Sequence, residues 1–336
     1  MKIGICMGFP SKNFYGGVTV QSMMWHQGLL GQGNEVYLMD NWTKQNWESF
    51  DWIIIVGSGP LFREYINLFQ MEKVKIASAP IIDYPGSPFS FGLRGRFQGS
   101  KKIGWFTPIY DEFHLKDKIS LHLVRSKHES KFLTEGLGIS PDLVRIVPLH
   151  FRINKDMTSF EPEKKEDFVF HSSRLFAPQK NVKRLIDAAV KYNFNLVLAG
   201  TINGDKQRYD LNRMIDGHLN IKYVGKLSDE ELVSYYKRAK VFALPSTLEG
   251  VGMVALEAAV NGCNIVLTEL GAPKEYFNGK AFLCNPYSVD DIGRKVLEAL
   301  KDKDSQPSLR NYLLNNNSEE KCMELLNKSL LEFLNK

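Results

Sequence analysis

Two glutamates, Glu249 and Glu257, are separated by seven residues within the stretch 246–262. The apolar run 241–245 before them is typical of a buried parallel strand. The segment Met253–Val260 is rich in Ala, Leu and Met and is followed by an Asn-Gly pair, which is typical of a short helix with a glycine stop. We therefore expect the first glutamate on a strand-to-helix loop and the second on the helix.

This arrangement suits a nucleoside diphosphate. Backbone can approach a ligand closely at Gly250 and Gly252, and the unpaired N–H groups of a first helical turn favour an anion. A carboxylate one turn further on can accept hydrogen bonds from a ribose diol, while the loop carboxylate would face the group that the diphosphate carries, such as a sugar. Spacing alone is equally compatible with two solvated glutamates.

Two bases upstream, Arg174 and Lys180, precede an expected helix. A sugar nucleotide that reacts leaves as a diphosphate, so its site must neutralise the charge that grows on phosphate oxygens. These two side chains are the candidates for that work. Taken without the glutamates, they would more simply be two solvated bases on a loop. We expect Lys183 and Arg184 to be solvated charges on the helix face.

Together these residues resemble the two signatures of the family 4 retaining glycosyltransferases, which have the GT-B fold. The acidic signature is Leu-Pro-Ser followed by Glu-Gly-x-Gly-x-x-x-Leu-Glu-Ala, which contains Glu249 and Glu257. The basic one is the segment 170–188. The resemblance runs from about Phe168 to Tyr276. It implies a nucleotide-sugar-dependent, retaining transferase with front-face chemistry and two Rossmann-like domains facing a central cleft.

The resemblance also implies roles for individual positions. Arg174 and Lys180 would bind the distal phosphate, and the turn at Lys226 and Leu227 would hold the base. Asp83 stands where many relatives have a catalytic histidine, which is a departure from the pattern. The implied catalytic residues are Glu249, Arg174, Lys180 and Asp83. The implied donor-binding residues are Gly16, Gly17, Arg174, Lys180, Lys226, Leu227, Glu249, Gly250, Val251, Gly252, Met253, Val254 and Glu257.

Several of these positions have a simpler explanation. Lys226 and Leu227 are equally typical of an ordinary strand-to-helix turn, and Gly16-Gly17 of a helix entry. No Asp-x-Asp pair follows a strand, since Asp302-Lys-Asp304 comes after a helix, so the sequence implies no divalent metal. No cofactor is expected besides the donor substrate, a UDP- or GDP-sugar.

The chain is long enough for two domains. Its 336 residues, 43% of them hydrophobic, can bury two cores, and strand and helix patterns alternate twice, which predicts an α/β fold. We expect an N-terminal, acceptor-binding domain over 1–153, a donor domain over 154–317 and a last helix over 318–336 that crosses back to the first domain. The charged segment Asn154–Glu166 is expected to be the linker.

The expected strands alternate with amphipathic segments in both halves. In the first half they lie at 2–7, 35–39, 52–56, 74–82, 121–124 and 144–147. In the second they lie at 167–171, 196–200, 221–225, 241–244, 264–268 and 281–284. Helices are expected at 18–30, 182–191, 229–238, 253–260, 273–277 and 289–301.

Net charge, cysteine spacing and hydropathy indicate which kinds of partner and which cellular compartment to expect. The net charge of +5 is mild and gives no indication of nucleic acid as a partner. Four cysteines lie far apart without paired spacing, which favours free thiols in a reducing compartment. The chain enters a strand pattern at its first residues and has no apolar run of membrane-spanning length. We expect a cytoplasmic protein that is soluble or bound at the inner face of the membrane.

The acceptor side is marked by the stretch 84–102, which contains no acidic residue. Basic side chains alternate there with aromatic ones: Arg94, Arg96, Lys101 and Lys102 with Phe89, Phe91 and Phe97. This composition suits a mobile loop that meets an anionic acceptor or a membrane surface. A disordered surface loop would have the same composition.

The expected function is therefore transfer of a sugar from a nucleotide sugar to a saccharide, a lipid-linked acceptor or another glycoconjugate. Two alternatives stay open. One is a two-lobed protein that binds a sugar or nucleotide sugar without chemistry, and the other is an epimerase or phosphorylase on the same fold. A requirement for both a nucleotide sugar and a second sugar acceptor would separate the transferase from the latter.

Overall fold

The computed structural model describes residues 1–8, 16–39, 46–100, 102, 104–153 and 158–334. Two compact units make up the chain. Unit 1 comprises Met1–Leu149 together with Glu319–Lys336, and unit 2 comprises His150–Ser318. The expected basic residue Lys101 and the first residues of the expected linker, 154–157, lie outside the described residues.

Unit 1 is built on a six-stranded parallel sheet in the order β2-β1-β3-β4-β5-β6. The strands are β1 Lys2–Met7, β2 Glu35–Leu38, β3 Trp52–Val56, β4 Ile76–Ala79, β5 Leu121–Val124 and β6 Val144–Ile146. All five side chains of β3 are buried, as the continuous apolar run predicts for a central parallel strand. The six predicted strands are thus confirmed, with β4 shorter than expected.

Six α-helices in the described part of unit 1 cover this sheet: α1 Gly17–Gly31, α2 Phe62–Met71, α3 Pro88–Phe97, α4 Pro108–Leu115, α5 Lys127–Lys131 and, from the end of the chain, α13 Glu319–Leu334. Helix α13 packs on α1 so closely that a Cβ on Gly28 would lie 2.2 Å from the Cγ atom of Met323. The ammonium of Lys75 donates to the last carbonyls of α13, those of Phe333 and Leu334, at 2.8 and 2.7 Å. These contacts fix the chain end to unit 1.

Helix α3 corrects the expectation of a loop over 84–102. Ser87 caps its first turn by accepting a hydrogen bond from the Ser90 amide at 3.2 Å. Glycines in this stretch suggested a loop, yet Gly92 serves close packing, since a Cβ there would lie 2.2 Å from the carbonyl oxygen of Gly136. Phe91 is buried against Phe132, with ring centroids 5.3 Å apart. Part of the stretch is therefore a packed helix.

Unit 2 contains a second six-stranded parallel sheet, in the order β12-β11-β10-β7-β8-β9. Its strands are β7 Glu166–Ser172, β8 Leu196–Ala199, β9 Ile221–Tyr223, β10 Ala239–Leu244, β11 Asn264–Thr268 and β12 Phe282–Cys284. Every predicted strand of this half is present, with end points that differ by a few residues. The two sheets and their helices confirm the α/β class.

The α-helices that the structure describes in unit 2 are α6 Val182–Tyr192, α7 Gly204–Ile215, α8 Asp229–Arg238, α9 Met253–Val260, α10 Pro273–Tyr276, α11 Val289–Lys301 and α12 Ser308–Asn316. The predicted bounds of α8, α9 and α11 are confirmed. Helices α7 and α12 are absent from the sequence prediction. The reason for α7 is that Leu211 is its single buried residue, which leaves no apolar stripe to detect.

Among the described residues, no helix combines the length and apolar composition that crossing a membrane requires. All four cysteines are buried and free of disulfide bonds.

Candidate functional site

The candidate residues of unit 2 gather at one edge of its sheet. Arg174 and Lys180 follow β7, Lys226 follows β9, and Glu249 follows β10. Because the strands are parallel, their carboxyl ends meet at that edge, which is where ligands bind in open α/β sheets.

Helix α9 begins at this edge with a first turn that no described side chain caps. Gly252 precedes it in the left-handed conformation, with φ of +75°, which a residue with a side chain adopts only under strain. No side chain of the described residues caps the helix. The amides of Met253 and Val254 belong to the donors that such a turn leaves without intrahelical partners. The helix therefore presents backbone donors and its positive dipole end to an anion.

The turn that carries Lys180 is fixed to the loop after β10. The residues Pro178–Lys180 form a single 3-10 turn, and Asn181 follows with φ of +57°. The side-chain amide of Asn181 donates to the carbonyl oxygens of Pro245 and Pro286, at 2.9 and 2.6 Å. Asn181 was not recognised in the sequence, although its place directly after Lys180, within the basic signature, is consistent with a residue that holds the turn.

Lys180 and Glu249, which were given separate roles, form an ion pair. The Lys180 ammonium lies 2.6 Å from Oε2 of Glu249, and the hydroxyl of Ser246 donates to the same oxygen at 3.1 Å. The side chains are 19% and 13% exposed, so solvent or a ligand can reach both. Arg174 is exposed and makes no ion pair with any carboxylate in the described part of the chain. The site thus has one paired base and one open base.

A buried histidine, His171 on β7, lies behind this pair. Its Nδ1 is 2.8 Å from the carbonyl oxygen of Ala243, so Nδ1 carries the proton, and Nε2 accepts from the Ser173 hydroxyl at 2.7 Å. Burial, together with the charge of Lys180, lowers the pKa of His171 to about 4. The ring is therefore neutral at physiological pH and supports the edge of the sheet without adding charge.

Glu257 lies in a very different environment from Glu249. Its side chain is 1% exposed, and Arg152 clamps it through two hydrogen bonds, from Nε to Oε1 at 2.6 Å and from Nη2 to Oε2 at 3.1 Å. The Tyr236 hydroxyl lies 3.5 Å from Oε2. Both oxygens expected to bind a ribose already have a partner, so the ribose role of Glu257 stays a prediction. No local pattern points to Arg152, because the pair spans most of unit 2 in sequence.

Burial and pairing have opposite effects on the pKa values in this pair, in which Glu257 is buried and the Arg152 side chain is 33% exposed. Burial raises the pKa of Glu257 above its ordinary value, although the positive charge and hydrogen bonds of Arg152 act to lower it. Burial alone would lower the pKa of the Arg152 guanidinium, but the Glu257 charge outweighs it and the pKa rises. Arg152 consequently stays charged, and the pair is held by a bidentate, charge-assisted contact.

The remaining positions of the donor set show no contact that defines a role. Lys226 is exposed and Leu227 half-buried, while Val251 is buried and Gly250 half-buried. In unit 1, Gly16 precedes α1, and a Cβ on it or on Gly17 would meet no heavy atom of the described residues within 4 Å. These assignments therefore stay predictions.

Asp83, also in unit 1, is bound by a buried arginine. Its Oδ1 lies 2.8 Å from Nη2 of Arg125, which also pairs with Glu129 at 2.9 Å. The Asp83 side chain remains 41% exposed, so this arginine orients it without enclosing it. The described residues contain no cluster of three or more His, Cys, Asp or Glu that could hold a metal ion.

Comparison with known proteins agrees with the geometry of unit 2. Residues 153–319 match the family model described as glycosyl transferases group 1. An uncharacterised glycosyltransferase of Methanocaldococcus jannaschii, MJ1178, is 30% identical over 139 residues, which cover 40% of this chain and 38% of the relative. The serotype-specific mannosyltransferase WbdA of Escherichia coli is 26% identical over 163 residues, or 44% of this chain and 19% of the relative. The chain thus matches less than half the length of these curated relatives.

Solved structures resemble the whole chain. Anabaena Alr3699/HepE, determined in complex with UDP and glucose, superposes with a TM-score of 0.73 at 14% identity and covers 99% of this chain and 100% of that one. At this identity the likeness concerns the fold. Residues 153–319, close to half of the chain, thus match the glycosyl transferases group 1 model, and the chain as a whole has the two-domain α/β GT-B fold.

Proposed function

We propose that this chain is a glycosyltransferase whose unit 2 binds a nucleoside-diphosphate sugar at the carboxyl edge of its sheet. The observation that carries the proposal is the accessible Lys180–Glu249 pair at that edge, whose Glu249 lies on the same strand-to-helix connection as the uncapped start of α9. A base and an uncapped helix terminus suit a diphosphate, and a carboxylate suits the hydroxyls of a sugar.

The proposed chemistry divides the work among these groups. The bond between the anomeric carbon and the diphosphate oxygen breaks, and a bond from that carbon to an acceptor hydroxyl oxygen forms. Lys180, Arg174 and the first-turn amides of α9 stabilise the charge that grows on the departing diphosphate. The acceptor proton passes to the leaving phosphate oxygen on the same face, which retains the anomeric configuration. These positive groups would serve without a divalent metal.

Glu249 would orient the transferred sugar in this scheme. Its Oε2 already accepts from Lys180 and Ser246, which fixes the carboxylate in one rotamer before a ligand arrives. A sugar hydroxyl can then donate to the remaining lone pairs without a cost for ordering the side chain. A UDP- or GDP-sugar is the proposed donor, and a saccharide, lipid-linked or other glycoconjugate hydroxyl is the proposed acceptor.

Nucleotide titrations of the full chain test the donor site. We expect UDP or GDP to bind, and Arg174→Ala and Lys180→Ala each to weaken that binding at least tenfold, since each removes a positive charge from the diphosphate. Lys183→Ala is the matched control, because Lys183 is paired with Asp187 on the exposed face of α6. Unchanged affinity in both site variants would contradict the donor site.

Product analysis separates the alternatives of function. Consumption of a nucleotide sugar only when a second sugar is present, with a new glycosidic bond, supports the transferase. Binding of the nucleotide sugar without turnover under any acceptor would support a binding protein instead. Interconversion of the sugar without an acceptor would support an epimerase.

We also propose that α3 brings unit 1 to an anionic membrane surface. Phe89, Leu93 and Phe97 are spaced four residues apart, form one exposed stripe, and have Arg94 and Arg96 as exposed neighbours. The stretch 84–102 contains no acidic residue. An exposed apolar stripe with basic neighbours fits lipid tails and anionic headgroups together.

Vesicle flotation tests the membrane surface. We expect binding to vesicles that contain phosphatidylglycerol and none to pure phosphatidylcholine, because basic side chains contribute only beside anionic lipid. Phe89→Ser with Phe97→Ser should reduce flotation at least tenfold, while Leu219→Ser, at an exposed leucine of unit 2, serves as control. Equal flotation of the double variant and the wild type would contradict the assignment.

A further inference from the structure

A cavity of about 200 Å³ lies inside unit 1. It is open to solvent on one side and is lined by residues that follow β3 and β4 and by helices α1, α3 and α4. Its described lining residues are Val18, Gly57, Ser58, Pro80, Ile81, Ile82, Asp83, Tyr84, Phe91, Pro108, Ile109 and Glu112. A volume of this size admits one sugar-sized ring.

One lining carboxylate, that of Glu112, lacks a partner for one of its oxygens. The side chain is 2% exposed. Its Oε1 accepts from the Ser58 hydroxyl, while Oε2 has no hydrogen-bond partner among the described residues. A buried polar atom without a partner is costly, so a ligand that donates to Oε2 gains the hydrogen bond and removes that cost.

Other carboxylates lie near the carboxyl group of Glu112. Burial is the main reason that the pKa of Glu112 rises to about 7, with the nearby carboxylates Asp111 and Glu129 adding to the rise and the Ser58 hydroxyl opposing it. Asp111 is itself paired with Arg63, and Glu129 with Arg125. No lysine or arginine lies among the described lining residues. The cavity therefore disfavours phosphate and carboxylate ligands.

The part of the wall formed by Ile81 and Ile82 is strained and held in place. Ile81 has φ of +57°, a conformation that is costly for a β-branched residue. The next amide, that of Ile82, donates to Oε1 of buried Glu129 at 2.5 Å, and the Arg125 amide donates to Oε2 at 2.6 Å. Arg125 in turn holds Asp83. The shape of the cavity thus depends on this ionic cluster rather than on loose packing.

Most of the lining is apolar, and two aromatic rings contribute to it. Tyr84 and Phe91 meet edge to face, with centroids 5.3 Å apart. A sugar ring has apolar C–H faces that pack on such side chains and hydroxyl groups that donate to carboxylates. An amine would also find acceptors here, but it would need to bury a charge among apolar groups.

We propose that this cavity binds one uncharged, hydroxyl-bearing sugar ring, and that Glu112 is the residue that recognises its hydroxyl groups. The assignment of that ring as the reacting end of the acceptor rests on the proposed function. Asp83 at the rim would then accept from a second hydroxyl, while Ser58 orients Glu112. The acceptor class is accordingly a neutral saccharide end, even where the membrane surface near α3 is anionic.

Saturation-transfer NMR on the full chain tests the binding directly. The probes are the methyl glycosides of mannose, glucose and galactose, with methyl glucuronide as the anionic and methyl glucosaminide as the cationic counterpart. We expect a neutral probe to bind, and Glu112→Leu and Ser58→Ala each to weaken it at least tenfold. Glu48→Gln, at an exposed carboxylate of unit 1, is the matched control. Tighter binding of a charged probe, or an unchanged affinity in both cavity variants, would overturn the proposal.

The pH dependence gives a readout that a merely structural role would not move. A hydroxyl donates more strongly to the ionised carboxylate, so affinity for the neutral probe should rise several-fold from pH 6 to pH 8, across the pKa of Glu112 near 7. Glu112→Gln should make the profile flat. A profile that keeps its slope in this variant would exclude Glu112 as the recognising group.

The same samples separate the two proposals. Nucleoside diphosphate binding without neutral-sugar binding would overturn the cavity assignment and leave the donor site intact. If a neutral sugar binds in a way that depends on Glu112 but no nucleotide binds, the cavity is supported as a sugar site and the proposed glycosyltransferase function is overturned.

Discussion

Glu249 and Glu257 belong to the same short motif and have the same side chain, yet the protein uses them in opposite ways. Glu249 lies on a loop, is 13% exposed, and shares one oxygen with a lysine and a serine. Glu257 lies on α9, is 1% exposed, and gives both oxygens to Arg152. The Glu249 carboxylate therefore has accessible lone pairs, whereas both oxygens of Glu257 accept hydrogen bonds from within the protein.

The difference follows from what each base can do. An ammonium is a point charge on a flexible stem, and it can leave a carboxylate when a phosphate competes for it. A guanidinium binds both carboxylate oxygens in one plane and keeps its charge at all accessible pH values. The Lys180–Glu249 pair is therefore suited to exchange partners during a reaction, and the Arg152–Glu257 pair to fix α9 in place.

The largest expected effect is on stability, through the buried pair. Arg152→Ala leaves the Glu257 carboxylate buried without its partner, which should lower the free energy of unfolding by about 3 kcal/mol at pH 7. Urea denaturation of the full chain measures this. Lys183→Ala, which breaks an exposed pair, should change it by no more than about 0.5 kcal/mol. Equal effects of the two variants would refute the division of roles.

The pH dependence of this loss has a definite sign. Without Arg152, the pKa of Glu257 should rise further above its unfolded value, because burial and the charge of Asp229 then raise it with only the Tyr236 hydroxyl to oppose them. The folded variant consequently binds an extra proton at mildly acid pH. The deficit relative to wild type should shrink as pH falls toward the unfolded pKa of a glutamate, about 4.3. A deficit that grows on acidification would contradict this account.

The second effect is on turnover. Glu249→Gln should lower turnover at least about 100-fold, because the amide cannot replace the carboxylate that orients the sugar in transit. The affinity for bare UDP or GDP should stay the same or rise, since Lys180 loses its competitor. The Glu257→Gln variant is the matched comparison, because the same substitution there should act mainly on unfolding. Wild-type turnover in Glu249→Gln would show that Glu249 does not orient the transferred sugar.

The sequence predicted the strands and several of the helices that support these carboxylates. Buried parallel strands appear in a sequence as short apolar runs, and so strands such as β3 and β11 were found with their observed bounds. Helices with an apolar stripe or a clear cap, such as α8, were found as well. Exposed helix α7 has almost no stripe, and the glycines of α3 suggested a loop although Gly92 serves packing.

The partners of the site residues could not be predicted in the same way. Spacing identified Lys180 and Glu249 but not their direct contact, because the turn and the loop are joined by long-range hydrogen bonds through Asn181. Arg152 and Glu112 lie in no motif. Their roles depend on burial and on contacts with residues distant in sequence. Both are properties of the folded chain that a local sequence pattern does not contain.

The third prediction concerns Gly252, between the two glutamates. Gly252→Ala should cost about 1 to 2 kcal/mol of stability because its φ of +75° is strained for alanine. It should also weaken nucleotide binding, since it alters the start of α9. Gly217→Ala is the matched control, because Gly217 has φ of +75° and open space around it, and it lies between α7 and β9, at the amino edge of the sheet. A similar loss of nucleotide affinity in both variants would argue against a role for the α9 terminus.

The smallest effect is the coupling energy within the accessible pair, measured by a double-mutant cycle. Lys180→Ala, Glu249→Ala and the double variant should give a coupling of about 1 kcal/mol or less in unfolding, because solvent reaches both side chains. The cycle of Arg152→Ala and Glu257→Ala should give a larger coupling, since the Glu257 carboxylate is sealed from water.

The salt dependence of the two coupling energies gives a further test of the difference between the two ion pairs. Repeating both cycles between about 0.1 and 1 M NaCl shortens the screening length from about 10 to 3 Å. The Lys180–Glu249 coupling should then fall toward zero, because solvent reaches both partners. The Arg152–Glu257 coupling should fall by a smaller fraction, because the Glu257 carboxylate is 1% exposed, although the Arg152 side chain is 33% exposed. If both couplings were to fall by the same fraction, the two pairs would be equally open to solvent. Glu257 could not then be a sealed anchor of α9, and it would again be free to meet a ribose.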